Sequence, residues 1–316
     1  MRILLTGGGG AGNEALFRCL GNRYSMHFAD ADIDAISPII PEENRHQIPW
    51  ASDSRFVDKL ASLCEKLEVD LLVPGVDEEL LILASNADKF GRSQIMLPSE
   101  QYIEVMLDKL SMIEKLASKN IPVPKTAVLS SRNNEVGLPC ISKPRKGRGS
   151  RGVQVLYSKN DIVLLKDKLG SLSNCTILQE KIVGEEYTVQ MLCDREERLC
   201  AVVPVKVSIK RGITLRAETV HEQRVMDACR RIHAVAPASG CYNIQLILTE
   251  DGQVLPFEIN PRISTTLCLV VASGLDPFSI FINGVENYAE VEFEGGVGLQ
   301  RHWANFFKKS GSECFG

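Results

Sequence analysis

The sequence predicts an α/β domain followed by an α+β domain, on three observations. Over roughly the first hundred residues, short apolar runs alternate with stretches of helical apolar spacing. After "IPVPKT" strand-like runs dominate. One pair of runs, "YNIQLILTEDGQVLPFEIN", carries Asp251-Gly252 at its centre, a strong hairpin signal. Strand–helix alternation argues for a parallel sheet covered by helices, because parallel strands need crossover connections and bury both faces.

In order, "RILLTG" reads as a strand, residues 11–20 as a helix and "MHFAD" as a second strand. A polar, proline-bearing connection, "SPIIPEENRHQIP", follows. Residues 53–67 carry helical spacing, "VDLLVPGVD" is a buried strand, "EELLILASNADKF" a helix and "SQIMLPS" one more strand. "YIEVMLDKLSMIEKLASKN" reads as a single helix, stopped by the prolines of "IPVPKT". The strands "LPCISKP", "GVQVLY", "CTILQEK", "EYTVQMLCD" and "RLCAVVPVKV" come next, with helices at "HEQRVMDACRRIHAVA" and after "PRIS". The closing "KKSGSECFG" reads as a frayed tail.

A chain of 316 residues, 44% of them hydrophobic, can bury more than one core. A net charge of −4 supplies no field for nucleic acid or a membrane surface. No apolar run approaches the ~18 residues that span a bilayer, and "MRILLTGG" reads as a first strand rather than a leader. The 10 cysteines include no C-x-x-C pair, so buried, reduced thiols in a cytoplasmic protein are expected. The five histidines show no metal spacing, which argues against zinc.

Near the N-terminus, Gly7, Gly9 and Gly12 fit G-x-G-x-x-G, and "SMHFADAD" ends in acids about 20 residues on. This pattern suggests a dinucleotide and hydride transfer. Downstream support is missing: none of the six tyrosines begins a Y-x-x-x-K. The same turn also serves tight strand–helix packing, and its Gly9 and Gly10 amides could receive an anionic substrate group.

Three constellations carry more chemistry. In "ISKPRKGRGSRGVQVL", a strand delivers Lys143, and a loop with Gly147, Gly149 and Gly152 leads to another strand. Glycines let a backbone approach phosphate oxygens, and the lysine supplies charge there. There is no G-K-[ST], H-R-D or D-F-G, so this is neither a P-loop nor a protein-kinase loop. The alternative is a solvated basic hairpin, or a nucleic-acid patch of Arg145, Lys146, Arg148 and Arg151. In "ILQEKIVGEEYTVQML", a linker between strands could offer main-chain groups to a purine, with an acid beyond for ribose; two ordinary surface strands would look the same. In the hairpin, alternation puts Asn243 and Gln245 on one face and Glu258 and Asn260 on the matching face. Such oxygens suit a hard divalent cation, with Arg262 alongside; a structural polar network capped by Arg262 is the alternative.

Taken in order, these constellations resemble the ATP-grasp superfamily, in its carbamoyl-phosphate-synthase-like and biotin-carboxylase-like branch, from Met1 to about Arg301. "LDKLSMIEKLASKNIPVPKT" resembles the segment that opens the ATP-grasp domain, and "FEINPRIS" is the most specific match. The resemblance implies a Rossmann-like pre-ATP-grasp domain over residues 1–104 that holds no dinucleotide. A small subdomain over 105–183 and a large one over 184–316 would follow. It implies ATP and Mg²⁺ or Mn²⁺ as cofactors. Lys109, Lys143, Gly147, Gly149 and Gly152 would meet the phosphates; Glu180, Lys181 and Val183 the adenine; Glu186 the ribose. Gln245, Glu258 and Asn260 would be the metal ligands, and Arg262 the residue at the transferring phosphoryl group.

The length falls short of a complete carbamoyl phosphate synthase, which duplicates the unit, and a biotin carboxylase's large C-terminal domain is not seen. A compact carboxylate–amine ligase is therefore expected, working through an acyl phosphate on small-molecule acid and amine substrates, without nucleic acid or membrane, as a homodimer like many of its relatives. Arg216 is a candidate clamp for a substrate carboxylate. Asp77 and Glu78 could recognise an amine or cap a helix. The rivals are carboxyphosphate or carbamate phosphorylation of the carbamoyl-phosphate-synthase kind, an NAD(P)-dependent oxidoreductase, and a non-catalytic nucleotide-binding subunit.

Overall fold

The computed structural model describes residues 1–131, 136–149, 151–286, 289–308 and 314–315. Five parallel strands open the chain: β1 (Arg2–Thr6), β2 (Ser25–Asp30), β3 (Arg45–Gln47), β4 (Leu71–Val73) and β5 (Gln94–Ile95), in the order β3-β2-β1-β4-β5. Successive β1 side chains point to opposite faces and so enter different cores. Leu4 joins Leu72, Phe56 and Leu60 beneath helix α2 (Phe56–Lys66). Ile3 and Leu5 join Leu16 of helix α1 (Asn13–Leu20) and Phe28. That second core also contains Leu267, Cys268 and Phe278, on two helices from the far end of the sequence. Ile3, Leu4 and Leu5 are fully buried, each worth about 1.5–3 kcal/mol of transfer free energy.

Strand β3 lies inside the stretch expected to be a connection. It has three polar residues at the sheet edge, too few for a period-2 signal. Helix α3 (Asp77–Ala84) follows β4. The single helix expected over "YIEVMLDKLSMIEKLASKN" is two, α4 (Glu100–Leu107) and α5 (Lys109–Ala117). Asp108 divides them: it leaves helical geometry (φ −97°, ψ 106°) and accepts from the amides of Leu110 and Ser111 as the cap of α5. The break places Lys109 on the first turn of α5, and α4 runs across residues 104 and 105.

An antiparallel sheet of four strands comes next, in the order β6-β9-β7-β8: β6 (Thr126–Val128), β7 (Cys140–Pro144), β8 (Gln154–Leu156) and β9 (Thr176–Glu180). Helix α6 (Lys159–Leu169) backs it, started by a Ser158/Asp161 capping box and seated by Leu165 on Cys140, Leu156 and Leu178. The sequence reading passes over this helix, because a single buried leucine gives it little periodicity.

The largest sheet is antiparallel, in the order β14-β13-β10-β11-β12-β15: β10 (Glu185–Cys193), β11 (Leu199–Arg211), β12 (Ile213–Thr219), β13 (Gly240–Leu248), β14 (Val254–Asn260) and β15 (Gly298–Gln300). Helix α7 (Gln223–Val235) and α5 share its core through Ile232, Cys229, Met112 and Leu116. Helices α8 (Leu267–Ala272) and α9 (Pro277–Asn283) reach back to the first sheet. Just past β15, Arg301 donates to the carbonyls of Thr214, Ala11 and Thr265. One guanidinium thereby fastens the glycine turn, β12 and the approach to α8 together.

The tail expected to fray contains a short strand pair, β16 (Phe307–Lys308) with β17 (Cys314–Phe315). Residues 309–313 and 316 lie outside the described residues, as does Ser150 of the glycine-rich loop. Among the described residues nine cysteines are free thiols, seven of them buried. Among the described residues no helix is long and apolar enough to cross a membrane.

Candidate functional site

The three larger sheets meet around a cleft of about 860 Å³. One wall is the N-terminal glycine turn. Gly7 takes φ +62°, and Asn13 plugs the turn from inside by donating to the carbonyls of Gly7 and Gly8. A Cβ on Gly12 would lie 2.6 Å from the carbonyl oxygen of Thr265, so this glycine permits close approach to the C-terminal half. Gly9 and Gly10 line the cleft, but their amides are engaged: Gly9 donates to Asp30 Oδ2 at 2.9 Å and Gly10 to the Gly7 carbonyl at 2.8 Å. At Gly9 the place expected for a substrate anion is taken by the Asp30 carboxylate, and the Gly10 amide is used within the turn itself. Asp32, Glu78 and Glu79 line the same wall, which makes it acidic.

Of the acids opening α3, neither Asp77 nor Glu78 caps the helix; the cap position is Val76, without a side-chain bond. Asp77 pairs with Arg262, and Glu78 with Arg148 of the glycine-rich loop at 3.1 Å. Glu79 turns inward, accepts from the Thr6 hydroxyl and is 6% exposed. Burial pushes its carboxyl up to about 7.

The opposite walls hold most of the nucleotide-site candidates. Lys109, Lys143, Gly147, Gly149, Glu180, Gln245, Glu258, Asn260 and Arg262 all line the cleft. Register explains the last group: Asn243 faces Asn260 and Gln245 faces Glu258 across the β13–β14 ladder. Asn260 Nδ2 donates to Asn243 Oδ1 at 3.1 Å, and Asn243 Nδ2 to the Arg262 carbonyl at 3.0 Å. Glu258 Oε1 lies 3.1 Å from Lys109 Nζ, which also donates to the Gly147 carbonyl at 2.8 Å. Lys143, 6% exposed, donates to the Phe257 carbonyl at 3.1 Å; burial brings its ammonium down to about 8, with Glu258 opposing and Lys109 and Lys210 adding to the shift.

The remaining candidates are placed differently. Lys181 and Val183 are exposed, Val183 at 76%, and Gln179, Glu180 and Ile182 line the cleft instead. Glu180 Oε2 accepts from the Lys125 amide at 3.2 Å. Gly152 is outside the lining; its φ of +72° turns the chain beside Pro144. Glu186 pairs with Lys210 at 2.5 Å, and that lysine, not Glu186, lines the cleft. Arg216 is a correction: it lies exposed on β12, in register with Gln300 of β15, outside the cleft walls.

Sequence reasoning missed Lys210, Glu79 and the apolar lining of Ile141, Ile247 and Phe257. Lys210 sits where the β11–β12 register shifts, so alternation counted from "RLCAVVPVKV" misplaces it. Glu79, three acids into "VDEEL", gave no signal of its own.

The donor set fits a hard divalent cation. Glu258, Gln245 and Asn260 offer one carboxylate and two amide oxygens on adjacent strands. Among the described residues, no group of three or more His, Cys, Asp and Glu side chains is placed for a metal.

Residues 106–266, more than half the chain, match the family model of the ATP-grasp domain. The chain belongs to the ATP-grasp family. Its matched span runs from α4 to the start of α8 and carries every candidate phosphate and metal residue above. The carbamoyl phosphate synthase large chain of Rhodopirellula baltica is 28% identical over 218 residues, 64% of this chain and 20% of that protein. This ATP-grasp chain thus spans about a fifth of that relative. The formate-dependent phosphoribosylglycinamide formyltransferase of Sulfurisphaera tokodaii is 20% identical over 312 residues, covering 89% of this chain and 75% of that protein. Among solved structures, a biotin carboxylase–β,γ-ATP complex from Campylobacter jejuni superposes with a TM-score of 0.68 at 18% identity, covering 94% of this chain and 74% of that one. That likeness concerns the fold, and it extends the ATP-grasp architecture to the N-terminal parallel sheet.

Proposed function

We propose that this chain is an ATP-dependent carboxylate–amine ligase that forms an amide through an acyl phosphate on a small-molecule acid. One observation carries the reading: Lys109, Lys143, the Gln245–Glu258–Asn260 set and Arg262 converge on a single cleft under a glycine-rich loop. Phosphoryl transfer asks a protein mainly for positioning and charge neutralisation, and this set offers both. Ile141, Ile182, Ile247 and Phe257 make an apolar slot for the purine, with the Glu180–Ile182 main chain at its edge.

In this reading Lys109, Lys143 and the loop amides hold phosphate oxygens. Glu258, Gln245 and Asn260 would hold Mg²⁺ or Mn²⁺, which when bound would offset phosphate charge. A carboxylate oxygen of the acid attacks the γ-phosphorus, and ADP leaves. Arg262, fixed by Asp77, stabilises the transferring phosphoryl group and the acyl phosphate. The amine then attacks the acyl carbon and phosphate departs. Arg148, anchored to Glu78, keeps the loop over the cleft and water out. The carboxylates of Asp30 and Asp32 on the glycine-turn side favour an ammonium-bearing amine there.

A second reading has one specific support, the similarity to a carbamoyl phosphate synthase large chain: the acid would then be bicarbonate or carbamate. The oxidoreductase alternative loses support, because Asp30 is committed to the Gly9 amide. The test is a phosphate-release screen of carboxylic acids, bicarbonate included, against amino acids and sugar-linked amines, with mass spectrometry of products. Acid-dependent ADP and phosphate release with a new amide is expected. Stabilisation by NADPH, with no ATP turnover for any pair, would overturn the reading.

A further inference from the structure

We propose that Lys109 and Lys210 close the metal-ligand set to a bare divalent cation, so that the cation is admitted only together with a nucleotide's phosphates. The proposal rests on the function above and adds the order in which that site assembles.

The ligand oxygens are already held by ammonium groups. Glu258 is the only carboxylate among the three candidates, and Lys109 Nζ stands 3.1 Å from its Oε1; the two side chains are 8% and 18% exposed. Lys210 Nζ donates to Gln245 Oε1 at 3.1 Å while pairing with Glu186 at 2.5 Å. Gln245 and Glu258 are direct partners in the β13–β14 ladder. The two lysines therefore reach one small site from two sides, Lys109 from α5 and Lys210 from β11. Lys143, buried at the neighbouring Phe257 carbonyl, adds a third ammonium group. Three cationic side chains thus stand against two carboxylates, Glu258 and Glu186. Lys109 and Glu258, at 8% and 18% exposure, are weakly screened, and Lys210 and Glu186, at 27% and 29%, are screened more.

A lone divalent cation would have to enter beside those lysines and displace Lys109 from Glu258. A triphosphate or diphosphate reverses the balance. Its oxygens compete for the same ammonium groups, and each lysine drawn to phosphate releases a ligand oxygen. Lys109 also holds the Gly147 carbonyl, so its departure would reach the glycine-rich loop. Because the coupling is a binding free energy it is reciprocal: the cation must tighten the nucleotide as much as the nucleotide tightens the cation.

The test uses the full chain and Mn²⁺ followed by electron paramagnetic resonance, with and without the β,γ-imido analogue of ATP. Wild type should bind Mn²⁺ weakly alone and tightly with the nucleotide. Lys109→Gln should raise nucleotide-free Mn²⁺ affinity by about tenfold or more, since it uncovers Glu258, and adding Glu258→Gln should abolish that gain. Lys210→Gln should act in the same direction, and gives the answer if Lys109→Gln does not fold by circular dichroism. Equal Mn²⁺ affinity with and without nucleotide in wild type, or no gain in either folded lysine variant, overturns the proposal while leaving the ligase reading intact. Failure of wild type to bind the nucleotide at all overturns both.

Discussion

Arg262, two residues beyond β14, forms an ion pair with Asp77 at the first position of α3, 185 residues away in sequence. Both side chains are 13% exposed. The pair joins the wall built on the N-terminal parallel sheet to the strand bearing Glu258 and Asn260. Arg262 gains orientation from it: Nη1 also donates to the Ile263 carbonyl at 2.9 Å, so the guanidinium is held at two points. Asp77→Asn removes one charge and leaves the other mostly buried. It should lower unfolding stability by about 3 kcal/mol, the range for breaking a buried pair. Turnover should fall further than nucleotide affinity does, because Arg262 remains present but loosely aimed. Chemical denaturation beside nucleotide titration checks both parts.

Glu258 is the only carboxylate of the proposed metal-ligand set, and removing its charge should be nearly fatal to chemistry. Glu258→Gln keeps the size and the strand position between Phe257 and Ile259. It also breaks the ion pair with the buried Lys109, so melting should fall, while circular dichroism below the transition should remain that of the folded wild type. ADP formation should drop by about a hundredfold or more, the scale for losing one preorganised electrostatic contact. A fully active variant would show that Glu258 is not a metal ligand.

Much of this site was legible because strand periodicity is rigid. Once Asp251-Gly252 fixed the hairpin, the convergence of Asn243, Gln245, Glu258 and Asn260 followed from alternation alone. Lys143, Gly147 and Gly149 reach the cleft as their local spacing suggests, whereas Gly152 does not. What failed to show in the sequence depends on tertiary pairing. Nothing in "VDEEL" says that three adjacent acids take three separate roles, holding Arg262, Arg148 and Thr6. The choice of Lys210 over Arg216 as the cleft-lining cation turns on register irregularities between β11 and β12, which no pattern in one strand encodes. The two helices divided by Asp108 looked like one, because an aspartate in a helical pattern reads as a surface residue until its cap bonds are seen.

Glu79 makes a prediction about pH. Its carboxyl is raised from 4.5 to about 7, with burial the main cause, the Thr6 hydrogen bond opposing it and Asp30 and Glu78 adding to it. A raised carboxyl means the fold prefers the protonated form. Its contribution to stability is complete below the unfolded value and is lost as pH rises through about 7. The difference is on the order of 3 kcal/mol. Wild type should lose stability from pH 5 to pH 8, and Glu79→Gln, which stays neutral, should flatten that slope. Urea midpoints across the range test this; parallel profiles for the two proteins would remove Glu79 as the cause.

Gly12 decides how the glycine turn is used. The G-x-G-x-x-G spacing suggests a cofactor, yet the third glycine faces protein: a Cβ there would lie 2.6 Å from the Thr265 carbonyl oxygen and 3.2 Å from its carbon. Gly12 takes φ −96°, which any residue can adopt, so Gly12→Ala tests contact alone and not backbone strain. Both sides of the contact are fixed, by α1 packing on one and by Arg301 bonded to Ala11 and Thr265 on the other. The alanine should therefore cost about 1–3 kcal/mol of stability, as overpacking does. Gly149→Ala is the control: nothing lies within 4 Å of its added Cβ, and its φ of +68° carries only the left-handed cost, about 1 kcal/mol. Gly12→Ala should melt lower than Gly149→Ala, while Gly149→Ala should weaken ATP binding more. The reverse ranking would mean that the N-terminal glycines serve a ligand and not the contact between the two halves of the chain.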